Sequence, residues 1–421
     1  AKLDQSTFLN IDTTLISDTS FLGKYGYDDR DRFLNSISFE KFSNRSSLSA
    51  STLYHTSLRD SSTVEPLVIP DLRYRKYRKF KKSGLLLREK YSLVGISRRE
   101  GSGYSRVSAD IELSRNWKTD NGLIIRGTGN VLTAAYSENN INADEKYLLK
   151  VYPLGALEFK YPFFKGRKNK SEVLVPVAQV VYSTNNSSHK HPIDEDSSTT
   201  EFDSTTLFKL KKIPGIDRQE NGLRLNAGLK YFYEHKNNYK YNINLGQVYR
   251  NKNSEDFLPS SGLNGYESDI LLSGNLSFKR DLEIASKQVY SKNFNLKRSN
   301  TSLKLTKPRY QIKTSLTNLV SDPSEGTTTD LKELTLNLNS SFNKNWSGKL
   351  GLRRNMVNNE DINTSLGLNF RNECIDMDLS LSRRNTTTNL LPKDSRIDLV
   401  VNFGNIGSKY YNTKISKCVI K

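Results

Sequence analysis

Long apolar runs are missing from this sequence of 421 residues. No stretch reaches the roughly 18 to 20 consecutive apolar residues that a membrane-spanning helix needs, which excludes a helical membrane protein. Cysteine is nearly absent too: Cys374 and Cys418 are too few and too far apart for a zinc knuckle or a small disulfide-stapled domain. They are left to form one bridge or to pair with something outside the chain. Histidine is scarce, with His55, His189, His191 and His235 alone; His189-Lys190-His191 has the residue type of a metal site without the spacing or the companions. No G-x-S-x-G elbow supports acyl chemistry. Gly101-Ser102-Gly103 lacks the third glycine of a phosphate cradle and reads as a hairpin turn. Asp194-Glu195-Asp196 lacks the ligand spacing and turn glycine of a calcium loop and reads as a solvated charge cluster. The start, Ala1 to Thr7, shows no basic stretch leading into an apolar run, so the chain is a mature form or a piece of something longer. The expectation is a protein without enzymatic chemistry, metal or cofactor.

What is present is charge and aromatic rings. Lys and Arg number 64 against 45 Asp and Glu, a formal charge of +19, while hydrophobic residues make up only 35%. Tyr occurs 22 times and Phe 18, too often for a disordered chain. The dominant period is two. Val107, Ala109, Ile111 and Leu113 alternate with Ser108, Asp110, Glu112 and Ser114. The same pattern runs through Leu223 to Tyr233, Tyr310 to Leu316, Leu334 to Leu338, Ile375 to Leu381 and Ile397 to Phe403. These are strands with one oily and one wet face. Asp120-Asn121-Gly122, Lys236-Asn237-Asn238, Lys344-Asn345 and Asn358 to Asp361 separate them as hairpin turns. At about 10 residues per strand and a similar length per turn, the chain holds roughly 20 strands. Longer polar inserts at Asn185 to Gly222, Lys252 to Ser268 and around Ser321 to Asp330 read as loops at one rim.

Periodicity does not say which face is outside. Quantity does: about 20 strands with one thin apolar stripe each, and no apolar excess to fill a second layer, suit a water-lined membrane barrel. Tyr91, Trp117, Tyr161, Phe163, Phe164, Tyr182, Tyr249 and Trp346 fall near expected strand ends, as interfacial girdles require; ordinary cross-strand aromatic pairs are the alternative. Arg73 to Lys82, basic residues interleaved with Tyr74, Tyr77 and Phe80, suits a nucleic-acid surface or a lumen-facing strand and its rim. The surrounding β-repeat favours the second, with no nucleic acid, since no helix-turn-helix, zinc or RNP-type motif accompanies the charge.

Several strings are more specific. Val173 to Tyr182 (VLVPVAQVVY), Asp194-Glu195-Asp196-Ser197, Glu201-Phe202-Asp203, Leu207-Phe208 and Gly215-Ile216-Asp217-Arg218 resemble, in order and spacing, the central barrel of the outer-membrane LPS-assembly protein family (LptD, also called OstA or Imp). Glu65 to Tyr77, Asp110 to Trp117, Asn242 to Tyr249 and Asn372 to Arg384 (NECIDMDLSLSRR) extend the resemblance across essentially the whole chain. Members carry a periplasmic jelly-roll and then a barrel of about 26 strands closed at a seam. The resemblance implies that residues 1–421 are one barrel domain that starts several strands in, Leu9 to Phe33 matching a barrel interior, without the jelly-roll and opening strands. Such a barrel is incomplete, and its open edges would be intolerable in lipid. The family's cysteines join the barrel end to the jelly-roll. Cys374 falls at the matching position, with Ile375 where many members have a second Cys, so Cys374 would be free or joined to Cys418.

The resemblance also implies a Gram-negative cell outer membrane, lipopolysaccharide as cargo, outer-membrane lipid around the barrel, an LptE-type lipoprotein plug and an LptA-type periplasmic bridge. Acyl chains would leave through the seam, one lip of which is the C-terminal strand near Ile397 to Phe403, while sugars cross the wet lumen. Arg73, Arg75, Arg224 and Lys230 are the polar-face candidates for drawing anionic groups along. The runner-up is a general outer-membrane porin; a soluble basic nucleic-acid-binding β-protein is the third reading.

Overall fold

The computed structural model describes residues 2–403 except 17, 19–20, 23–29, 31, 59–64, 140–146, 185–193, 198–199, 237–238, 255, 280, 324–326 and 388–392. Among the described residues the chain forms 21 strands in one sheet and a single 3-10 turn, Pro259–Ser261. The first strands are β1 Thr7–Asp12, β2 Arg32–Ser43, β3 Ser46–Ser57, β4 Leu67–Lys79, β5 Leu86–Ser97, β6 Gly103–Lys118, β7 Ile124–Asn139, β8 Tyr147–Lys160, β9 Phe163–Arg167, β10 Lys170–Ser183 and β11 Gly222–His235. They continue with β12 Tyr239–Arg250, β13 Ile270–Phe278, β14 Leu282–Tyr290, β15 Leu296–Thr306, β16 Tyr310–Leu319, β17 Leu331–Ser341, β18 Trp346–Asn355, β19 Glu360–Arg371, β20 Ile375–Arg384 and β21 Asp394–Phe403. Sequence neighbours pair antiparallel, β1 with β2 and β20 with β21 at the ends, except that β10 pairs along its second half with β8, past the short β9. Among the described residues no pairing joins β21 to β1, so the sheet is not closed.

Two compact units divide the chain. The first comprises Ala1–Phe163, Val175–Leu229 and Gly246–Ser268. Its turns at residues 44–45, 80–85 and 119–123 lie at one end, and its one long connection between β10 and β11, residues 184–221, leaves from the other. That asymmetry is the rule for outer-membrane barrels. The turn at 119–123 shows how the local chemistry sets it. Gly122 takes φ +90°, which a side chain would strain, while the Thr119 Oγ1 accepts from the Leu123 N–H at 3.0 Å. Pairing then sorts side chains by face. One row reads Leu9, Phe39, Ala50, Leu72, Leu93, Val107, Ala135 and Leu149 across β1 to β8. On the opposite face the adjoining row reads Arg73, Ser92, Ser108, Ala134 and Lys150.

The second unit comprises Phe164–Leu174, Lys230–Leu245 and Asp269–Lys421. Turns at 279–281, 307–309, 342–345 and 372–374 again lie opposite those at 291–295, 320–330 and 356–359, of which 320–330 is the longest. Leu305, Ile312, Leu338, Leu350, Leu366, Leu381 and Ile397 form an unbroken apolar row across β15 to β21. Behind it runs Glu283, Lys304, Lys313, Asn337, Gly351, Ser365, Ser382 and Arg396.

Burial is inverted relative to a water-soluble fold. Val107, Leu149 and Ile397 are 58%, 57% and 73% exposed, while Arg106, Lys150 and Asn226 are 4%, 0% and 0%. Aromatics gather at the short-turn ends as expected for a girdle: Trp117, Phe163 and Phe164 among them, with Trp346 packed against Phe370 at 4.9 Å. Tyr91 departs from that expectation. It sits in mid-β5, directly opposite Tyr74 at 6.3 Å between ring centroids, a cross-strand stack formed because the register aligns the two rings.

The row of bare leucines carries a prediction. Leu350→Arg places a charge in mid-strand on the apolar face and should cost about 2–4 kcal/mol of folding free energy in a bilayer. Ser365→Arg, on the other face of the neighbouring strand, should cost far less. Denaturant titration of the two variants refolded into lipid vesicles measures the difference, and equal costs would mean that the leucine face does not meet hydrocarbon.

Candidate functional site

The polar face of the first unit is covered by two inserts, residues 184–221 and 251–269. The first does not stay at a rim as the sequence suggested. It folds back over β5 to β8 because its acids meet arginines that the strands present on that face. Arg98 clasps Glu195 with both guanidinium nitrogens, at 2.9 and 2.6 Å. Arg106 reaches Asp196 at 2.7 Å and also pairs with Asp217. Asp217, fully buried, accepts in addition from the hydroxyls of Tyr104 and Tyr136 at 3.1 and 3.0 Å and from the Glu195 and Asp196 N–H groups. The Asp194-Glu195-Asp196 run is therefore a set of pins, and the expectation of a solvated cluster is corrected. Asp194, Asp196 and Asp217 lie close enough to invite a metal. Their oxygens are already engaged: Asp196 Oδ1 accepts from the Ile216 and Asp217 N–H groups, and Asp217 is filled by the donors above. Residues saturated with N–H and O–H donors do not fit a divalent cation, which needs those lone pairs.

Lower on the same face, Lys211 bridges to Asp110 at 3.0 Å, and Gln179 donates to the Phe208 carbonyl at 3.1 Å. Asp110 is midway along β6, so the insert reaches the middle of the strand. The Lys212 ammonium is enclosed by the carbonyls of Thr206, Leu207 and Lys209. Burial lowers its pKa to about 7, with Glu220 opposing and Arg224, Arg250 and Lys209 adding to the shift. At the insert's exit Glu220 lies between Arg250, at 2.6 Å, and Arg224, at 3.4 Å. Burial alone would raise the Glu220 pKa, but the two arginines and Lys212 outweigh it and hold the carboxyl below its ordinary range. Arg250 also lies over the Phe257 ring of the second insert, 5.3 Å from its centroid, and the two inserts join where the Phe202 N–H donates to the Ser261 carbonyl at 3.2 Å.

Between the tip of the first insert and the strands lies a charged chamber of about 330 Å³. Arg88, Lys90, Arg126, Lys209 and Lys211 face Asp110, Glu112 and Glu158 around it. Asp110 is shared by Lys90 and Lys211, and Glu112 by Arg88 and Arg126. With five cations to three carboxylates, the chamber carries a positive excess, and two of its acids are each divided between two cations.

Of the residues singled out in the sequence, Arg73 and Arg75 alternate with Leu72 and Tyr74 on this polar face, opposite Ser92 and Lys90, and Arg73 pairs with Asp71 at 2.8 Å. Arg224 is on it too, but 2% exposed, and donates to the Leu210 carbonyl, so it anchors the insert and is not open to a passing ligand. Lys230 shares the alternation of Arg224 along β11 but lies in the second unit. Cys374, in the turn before β20, is in a disulfide bond. Cys418, His189 and His191 lie outside the described residues. Sequence reasoning missed Arg106, Tyr104, Tyr136, Lys211 and Glu220. The only signal was the Gly215 to Arg218 string, whose spacing pointed to a family and not to a contact 111 residues away along the chain.

A family model described as LPS transport system D matches residues 1–346. The chain belongs to the LptD family. It is an outer-membrane β-barrel protein of lipopolysaccharide transport. Among curated proteins, none matches the chain. Solved structures similar to it include the siderophore receptor PirA from Pseudomonas aeruginosa, at 10% identity and TM-score 0.46, covering 88% of this chain and 69% of that one. The ferric citrate transporter FecA matches at 9% identity and TM-score 0.41, covering 90% and 68%. The similarity of this LptD-family chain to those receptors is distant.

Acid should release the insert. The stability that Glu220 contributes is fully present above the ordinary carboxylate range and is lost as pH falls through its depressed folded value. Protease cleavage within residues 200–221 should therefore rise in acid. Glu220→Ala should cost about 3–5 kcal/mol by stranding Arg224 and Arg250, raising cleavage at neutral pH and flattening its acid dependence. A pH-cleavage profile of the two proteins checks both.

Proposed function

We propose that this chain inserts lipopolysaccharide into the outer leaflet, its polar covered face lining a lumen through which the sugars pass and its bare apolar face meeting membrane lipid. The observation that carries this reading is the double inversion of burial. Leucines lie open in rows on one face while arginines, aspartates and lysines are sealed on the other, an arrangement that water would penalise and hydrocarbon favours. Family membership supplies the cargo. On this reading residues 1–421 form one barrel domain, and the acyl chains leave sideways at a seam of which β21 is one lip.

The partners follow from the same reading. An LptE-type lipoprotein would occupy the lumen beside the inserts, and an LptA-type bridge would deliver lipid from the periplasm. Arg73 and Arg75 have a role distinct from Arg224: they stand exposed on the polar face and would draw phosphate and carboxylate groups along without trapping them. A general porin reading fits less well, since the first insert and its chamber occupy the face along which solutes would flow.

Arg73→Glu together with Arg75→Glu should reduce surface lipopolysaccharide at least tenfold in cells that depend on this chain, while outer-membrane levels and heat-modifiable gel mobility stay normal. Normal surface lipopolysaccharide in such cells would overturn the route along this face. Steady ion conductance of the purified protein in a planar bilayer would favour the porin.

A further inference from the structure

The second unit has its own opening on its polar face, a cavity of about 490 Å³ over β13 to β17. At its centre Lys304 of β15 and Lys313 of β16 are directly opposite each other. Like charges in that position destabilise a sheet, and Asn337 occupies the next place in the row where an acid would relieve them. Lys304 has a loose partner in Glu283 at 3.3 Å, both side chains well exposed, which screens it weakly. Lys313 has no carboxylate partner among the described residues. The rest of the lining mixes hydrogen-bonding residues, Asn275, Ser277, Ser302, Ser315, Thr335 and Asn337, with apolar ones, Leu276, Ile284, Ala285 and Leu303.

Two ammonium groups without adequate counter-charge, set among hydroxyls, amides and apolar residues, match the charge, the hydroxyls and the apolar ring faces of one ligand class. An anionic group neutralises the lysines, and a polyhydroxylated body satisfies the amides and hydroxyls. A cavity of this volume takes a sugar ring with its substituent. We propose that Lys304 and Lys313 form a subsite for an anionic saccharide, a sugar bearing a phosphate or a carboxylate. It rests on the reading of the polar face as lumenal, and it adds a second station to the chamber of the first unit. The lysine pair costs the empty protein stability and returns it when the anion is bound.

Glucose 6-phosphate and glucuronate are the probes, titrated calorimetrically into the full chain folded in detergent, with glucose and inorganic phosphate as comparators. Both anionic sugars should bind at least tenfold more tightly than glucose or phosphate, and K304Q/K313Q should lose at least that factor. One anionic sugar binding without the other names the group and supports the site. Lys313→Gln should also raise the unfolding temperature of the empty protein, since it removes a repulsion. Equal binding by the double variant, equal binding of glucose or of phosphate alone, or a lowered unfolding temperature for Lys313→Gln would each overturn the subsite. If the titration fails while the Arg73 and Arg75 reversal still blocks transport, the subsite is wrong and the proposed function stands. If it succeeds while transport is untouched by that reversal, the subsite stands and the proposed route along the first unit falls.

Discussion

Backbone hydrogen bonding is the constraint from which the rest of this molecule follows. In hydrocarbon an unpaired N–H or C=O costs several kcal/mol, so each strand must give its polar groups to a neighbour. Pairing fixes register, and register fixes faces, because a slip by one residue would exchange leucines for lysines along a whole row. The row from Leu305 to Ile397 is continuous over seven strands because the pairing of each strand confirms that of the last. Only after the faces are sorted do Arg98, Arg106 and Asp110 come to one side, where an insert can find them.

The strands were legible because their signal is local. Alternation at Val107 to Leu113 or Ile375 to Leu381 needs no knowledge of neighbours, and turns such as Asp120-Asn121-Gly122 announce themselves by composition. The estimate of roughly 20 strands compares with 21 among the described residues for that reason. The placement of Arg73, Arg75, Arg224 and Lys230 on polar alternations was legible in the same way. What was not legible is anything set by distant parts of the chain. Arg224 looks no different in sequence from Arg73, yet one is sealed beneath Glu220 and Leu210 and the other is exposed. Tyr91 looked like a girdle residue because strand ends were inferred from composition; the register with Tyr74 is what places it.

The inserts also show why a basic protein of this kind tolerates its charge. Most cations on the polar face are matched by acids shared between strands or supplied by the insert, as Asp110 is shared by Lys90 and Lys211. Sharing keeps each contact weak enough to exchange.

The insert of residues 184–221 is joined to neighbouring strands at both of its ends. Its return to the Arg98 and Arg106 pins is therefore a unimolecular event, governed by the effective concentration of a short tether and independent of how much protein is present. An insert held at both ends meets its pins without a search through solution. Dilution, which separates any plug that is a second polypeptide, has no hold on it.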